Sequence, residues 1–284
     1  MPPSILPARS EQIGVLPVKR ALPRRECRSV GPFVFVDHMG PIDLPAGAGI
    51  DVPPHPHIGL STLTYLYEGS MLHRDSLGTQ IEILPGAVNW MTAGRGIAHS
   101  ERSSPASRAK AERLHGIQIW VALRREDEEC DPQFASYEAA AMPEFQSDGY
   151  TARLIAGAFE GRRSPILRDD MICIDLVLQK GSFALPLAEQ LAVYVSSGQF
   201  SIEGQSVSTG DLVLISESEL TISGEGRCMI FGGDALPEQR FFYWNFVSSS
   251  KDRIVRAKKE WQEQSGPFAP RLPDETDWLP LPEV

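Results

Sequence analysis

The sequence predicts an all-β fold of two antiparallel β-barrel or jelly-roll domains in tandem, followed by one helix near the C-terminus. Three observations predict it. Short runs of alternating or β-branched residues recur along residues 31–231. Twenty-four glycines and 23 prolines in 284 residues supply the turns that many short strands need. A helical period is carried by the stretch 249–263.

The elements follow in order. Residues 31–38 (GPFVFVDH) read as a short buried strand with a polar end. Residues 60–67 (LSTLTYLY) are rich in β-branched and aromatic side chains, which favours a strand. Residues 69–70 and 75–78 are turns, and 81–84 (IEIL) alternates until Pro85-Gly86 stops it. Residues 87–91 (AVNWM) form a further strand and 94–96 (GRG) a further turn. The clearest strand of this half is 114–123, with Ile117, Ile119 and Val121 on one face. Residues 124–145 are charged and alanine-rich and read as an interdomain connection with a helical turn. The second half repeats the style with strands at 150–155, 171–178, 191–195, 200–202, 211–215 and 228–231. In the tail, the stretch 249–263 opens with a serine cap, Ile254, Ala257, Lys258 and Trp261 have helical spacing, and Gly266-Pro267 is a stop. The expected division is a first barrel at 1–135, a second at 136–248, and a helix with an extended tail at 249–284.

The bulk properties narrow the function. The formal charge of −10 disfavours direct binding to a nucleic-acid backbone, which needs a basic footprint. There is no run of about 18 apolar residues, so no membrane span is expected. The N-terminus lacks the charged-then-apolar layout of a secretory signal, and a reducing, cytoplasmic setting is the default. Cys27, Cys130, Cys173 and Cys228 are widely spaced and read as reduced thiols rather than a disulfide framework.

All six histidines lie at or before His115. If the two domains share a plan, only the first can use imidazole ligands. His55 and His57 stand at i and i+2 in a proline-rich segment, which keeps the chain extended and points both rings to one face. His99 and Glu101 repeat the spacing with an imidazole and a carboxylate. Two strands offering two ligands each make a four-ligand site for one divalent transition metal, with Fe, Mn, Co, Ni, Cu and Zn all compatible. Either pair alone is weak evidence; both in one strand-rich half are stronger. His38, His73 and His115 read as structural, His73 as a surface turn or barrel-mouth residue. Gln118 either points into the barrel or faces solvent. Trp90, Met91 and Trp120 read as core, or as a wall for a flat aromatic ligand. The turn 94–96 aims His99.

These residues carry a resemblance. Gly49, His55, His57, Thr62 and Gly69 fall at the spacing of a first cupin motif, with Thr62 where the usual glutamate stands. Gly94, Gly96 and His99 resemble part of the second motif, with Glu101 two residues on. Loss of one glutamate and gain of another resembles the pirin branch of the cupins. The runs 36–38 (VDH), 55–61 (HPHIGLS), 65–69 (YLYEG), 73–76 (HRDS), 90–101 (WMTAGRGIAHSE) and 116–121 (GIQIWV) are closely similar to pirins. The resemblance is dense over 31–123 and looser beyond 150.

The resemblance implies a bicupin with metal in the N-terminal barrel alone, held by His55, His57, His99 and Glu101, and with Fe(II) as the first choice of metal. It tips Gln118 toward the site. It implies two activities. One is the quercetin 2,3-dioxygenase reaction, in which a flavonol is cleaved with O2 and Glu101 serves as both ligand and catalytic base. The other is an iron-binding regulator whose redox state tunes docking on a transcription-related protein partner. A structural metal in an inert bicupin is the third expectation.

Overall fold

The computed structural model describes residues 3–215, 220–270, 272 and 274–283. Strand accounts for 54% of the chain and helix for 9%, so the all-β expectation holds, with one C-terminal helix. The chain divides into two compact units. One holds Gln12–Val18, Met39–Ser136 and Pro237–Val284; the other holds the residues up to Glu11 together with Lys19–His38 and Tyr137–Leu236. The boundary expected after 135 lies beside the observed break between Ser136 and Tyr137, whereas the one expected after 248 lies away from the break between Leu236 and Pro237, and the residues up to Glu11 with Lys19–His38 join the second unit. Strand Ser4–Pro7 pairs antiparallel with Asp211–Ile215, Ser4 opposite Leu214, which takes the N-terminus into the second unit. Helix Lys251–Gln262 buries Ile254, Ala257 and Trp261 against Ile58 and Ala98, which takes the tail into the first. Pairing across 200 residues leaves no local mark in a sequence.

The first unit contains most of the histidines and has two larger sheets. The smaller has four strands in the order Asp51–His57, Ile97–Arg102, Met71–Asp75 and Gln80–Ile83. The other contains Gln133–Tyr137, Val88–Thr92, Leu60–Glu68 and Glu112–Ala122 as successive neighbours. In the long central pair, Thr64 faces Gln118 and Thr62 faces Trp120. One face of this pair carries Leu63, Tyr65, Ile117 and Ile119, and the other carries Thr62, Thr64, Gln118 and Trp120; both faces are buried. A strand buried on both faces with one polar face is unusual unless that face lines a polar interior. Residues 124–145, expected as a connection, contain the strand Gln133–Tyr137 flanked by two short 3₁₀ turns.

The helix carries the expected serine cap: the Ser250 side chain accepts the Arg253 N–H. Arg253 joins Ile254, Ala257 and Trp261 on the buried face, while Lys258 is only half-buried.

The second unit is a nine-stranded sheet around the 13-residue strands Gln190–Ile202 and Thr221–Gly233. Its interior is apolar, with Leu154, Ile174, Leu176, Val193, Val195 and Ile230 fully buried together. This unit is not without histidine. His38 belongs to it, and its Nδ1 lies 3.0 Å from the Tyr194 hydroxyl.

Candidate metal centre

The local sequence explains how the histidines are aimed. Strand Asp51–His57 lies at the edge of its sheet, where Pro53, Pro54 and Pro56 remove no needed ladder donors. It pairs antiparallel with Ile97–Arg102, placing His99 opposite His55 and Ile97 opposite His57. The two candidate pairs, His55 with His57 and His99 with Glu101, are thus on hydrogen-bonded neighbours of one sheet. Alternation sends His55, His57 and His99 inward, while Pro54 and Ala98 face Trp261 and Phe268 on the outside. The turn before His99 closes with the Gly96 N–H on the Ala93 carbonyl at 2.9 Å. Gly94 is required there: its φ is +50°, and an added Cβ would stand 2.1 Å from the Cys130 carbonyl oxygen.

Three imidazoles converge. His57 Nε2 lies 3.1 Å from His99 Nε2, and the His55 and His99 ring centroids are 4.3 Å apart. One nitrogen from each of His55, His57 and His99 lies within 4.8 Å of the others, a group able to hold a metal ion. His55 Nδ1 donates to the Pro53 carbonyl at 2.9 Å, leaving its Nε2 lone pair free. His57 packs edge-on against Trp120, with centroids 5.0 Å apart. Burial pushes the His55 pKa down to about 4, aided by His73 and opposed by the Pro53 hydrogen bond. His57 and His99 are driven well below the ordinary histidine range, again first by burial and then by neighbouring imidazoles. All three are therefore neutral near pH 7, the form that binds metal.

Glu101 lies beyond a register shift that follows His99, and it stands outside the 4.8 Å group. Its carboxylate accepts from Thr64 Oγ1 at 3.4 Å, and Thr64 Oγ1 also reaches Gln118 Oε1 at 2.9 Å. Burial pushes the Glu101 carboxyl up to about 7, against the lowering effect of Thr64. Gln118 therefore points inward, resolving the two readings of the sequence.

His73 is the residue that sequence reading missed. It is not a surface turn residue: it lies inside strand Met71–Asp75 and is 2% exposed. His73 stands opposite Glu101, and Asp75 opposite His99. His73 Nδ1 is 3.4 Å from His99 Nδ1, its Nε2 is 3.1 Å from Asp75 Oδ2, and its ring stacks on Phe134 at 4.5 Å. The signal was present as a third i, i+2 pair, His73-x-Asp75. His115, expected as structural, packs edge-on against Tyr67 at 4.9 Å.

The donor set fits a divalent transition metal. Metal–nitrogen bonds of about 2.1 Å meeting at a right angle place their donors about 3.0 Å apart, close to the His57–His99 separation. Fold and site define a bicupin, with two cupin domains and a three-histidine cluster in one of them. The Pirin family model matches residues 15–121, and the Pirin C-terminal cupin domain matches 174–267. A pirin-like protein of Caulobacter vibrioides is 41% identical over 290 residues, spanning 98% of this chain and 99% of its own. A crystal structure of quercetin 2,3-dioxygenase from Acinetobacter baumannii matches with a TM-score of 0.92 and 32% identity, over 99% of this chain and 95% of that one. The bacterial pirin of Escherichia coli in complex with nickel(II) shares the fold, with a TM-score of 0.63 and 22% identity over 82% of this chain and 100% of that one. The chain belongs to the pirin family.

Proposed function

We propose that this protein is a metal-dependent dioxygenase that cleaves quercetin-like flavonols with O2, its metal held by His55, His57, His99 and Glu101. The convergence of three neutral imidazoles beside a buried carboxylate carries this reading. The similarity to the 32% identical quercetin 2,3-dioxygenase of Acinetobacter baumannii supports the substrate class. Fe(II) is the first metal to test, with Mn, Co, Ni, Cu and Zn as alternatives. When bound, it would supply Lewis-acid polarisation and a site for oxygen chemistry.

The chain's own residues do the rest. The Pro53 carbonyl holds the His55 tautomer. Glu101 is the catalytic base: a carboxylate oxygen takes the proton of the flavonol 3-hydroxyl and becomes the acid. Thr64 and Gln118 hold that carboxyl in place. Trp120, edge-on to His57, and Phe134, stacked on His73, border the histidine cluster with aromatic surface. The four free cysteines suit a cytoplasmic location.

The test is O2 uptake and carbon monoxide release by purified protein loaded in turn with Fe, Mn, Co, Ni or Cu, with quercetin under air. No turnover with any of them overturns the enzyme reading.

One observation favours a second reading. The four residues are only 0–8% exposed, so a metal there acts as a buried, poorly screened charge. In that case iron oxidation tunes docking of a protein partner. Identical partner capture by metal-free, ferrous and ferric protein rules it out.

A further inference from the structure

Strand position sets a problem for the histidine cluster. A metal-ligating imidazole needs a partner for its other nitrogen, which fixes the tautomer and the aim of the ring. His55 is on an edge strand, where the Pro53 carbonyl is spare and accepts from Nδ1. His99 is on Ile97–Arg102, which is paired on both sides, so its neighbouring carbonyls serve two ladders. The polar atom offered to His99 Nδ1 is instead His73 Nδ1, at 3.4 Å.

We propose that Asp75 and His73 are positioning residues for His99, forming a chain that fixes the His99 tautomer and turns its Nε2 toward His55 and His57. This rests on the reading of His99 as a metal ligand. The assignment follows from proton inventory. A neutral imidazole carries one N–H and one bare nitrogen. Asp75 Oδ1 is already engaged by the backbone N–H groups of Leu77 and Thr79, at 2.9 and 3.0 Å. Its Oδ2 is left for His73, whose Nε2–H donates to it across 3.1 Å. The Nδ1 of His73 is then bare and accepts from His99 Nδ1–H. The Nε2 of His99 is bare in turn, and it is the atom that lies 3.1 Å from His57 Nε2. Each step is dictated by the one before it. His73 cannot swing away easily, because its ring is buried and stacked on Phe134 at an interplanar angle of 25°.

The experiment is a Co(II) titration of metal-free protein in competition with a chromophoric chelator, with the visible Co(II) spectrum recorded alongside. Denaturation of each metal-free variant reports folding separately. His73→Phe keeps a ring on Phe134 but offers no acceptor. His73→Asn places an oxygen near the former Nδ1. His73→Phe is expected to weaken Co(II) binding about 10–100-fold and to shift the visible band. His73→Asn is expected to recover most of that loss. Asp75→Asn, which keeps an acceptor for Leu77 and Thr79, is expected to weaken binding by about tenfold or less. Equal losses in His73→Phe and His73→Asn, or wild-type affinity and spectrum in His73→Phe, would overturn the inference and leave the metal centre standing. Failure of the wild-type protein to bind Co(II) would overturn the metal reading and this inference together.

Discussion

Nε2 of His57 lies 3.1 Å from Nε2 of His99, with His55 completing the group. In the tautomers that leave both nitrogens bare, they repel at that distance unless a cation sits between them. A divalent metal at one hundred times its Kd should stabilise the folded chain by about 2.7 kcal/mol. In scanning calorimetry the transition of the histidine-bearing unit should rise by about 5–10 °C. EDTA should reverse the shift. His57→Ala and Glu101→Ala should abolish it while leaving the transition of the second unit where it was. A metal-induced shift that survives both substitutions would place the ion elsewhere.

The metal-free protein should be sensitive to acid. Burial holds His55 at about 4, whereas the unfolded residue titrates near the ordinary 6.5. Below pH 6.5 the unfolded chain takes up protons that the folded chain refuses, so stability falls as pH drops from 6.5 toward 4. His55 alone accounts for a loss on the order of 3 kcal/mol over that window, and His57 and His99 act in the same direction. Glu101 acts oppositely: its folded pKa is raised to about 7, so its contribution is present in acid and is lost as pH rises through 7. With three imidazoles against one carboxyl, the denaturant midpoint of metal-free protein should be lower at pH 5 than at pH 7. Equal midpoints at the two pH values would sink this account.

Much of the site was legible for a specific reason. In Pro53-Pro54-His55-Pro56-His57 the prolines fix an extended chain, so spacing alone assigns a common face. His99 and Glu101 read the same way, with the register shift between them invisible in sequence. His73 was hidden because its strand is five residues long and lies between two turn signals. Its inward residues are polar, reversing the pattern by which buried strands are recognised. Gln118 was ambiguous for the same reason: both faces of its strand are buried. The exchange of the two chain ends between units depends on pairings such as Ser4 with Leu214, which no local pattern encodes.

The Thr64 hydroxyl lies 3.4 Å from Glu101 Oε1 and 2.9 Å from Gln118 Oε1, and its single proton serves one of the two oxygens at a time. Removing it takes the hydroxyl proton away from this buried pair of oxygens. Thr64→Val, nearly the same size, should cost about 1–3 kcal/mol by chemical denaturation of metal-free protein. It should also raise the Glu101 pKa further, since the Thr64 hydrogen bond opposes the effect of burial. Thr64→Ser should restore most of the stability. A Thr64→Val protein as stable as wild type would show that the hydroxyl contributes nothing.

Glu275 should influence the metal centre without touching it. Its carboxylate accepts from Ser100 Oγ at 2.6 Å and from Arg102 Nη2 at 2.7 Å, with Arg74 3.6 Å away. Burial works against its charge, but Arg102 and Ser100 prevail and hold the carboxyl below its ordinary range. Ser100 lies between His99 and Glu101, so this contact pins the strand from the outside while those two side chains face in. A few residues on, the Leu279 N–H donates to the Pro54 carbonyl, pinning the neighbouring strand beside His55. Glu275→Ala should therefore cost about 1–2 kcal/mol, discounted because Arg102 is partly exposed. It should also speed amide exchange across Ser100–Arg102 and weaken Co(II) binding several-fold. Glu275→Gln, which keeps one acceptor for Ser100, should fall between. Faster exchange with unchanged metal affinity would mean that the inner face of the strand holds its geometry without the tail.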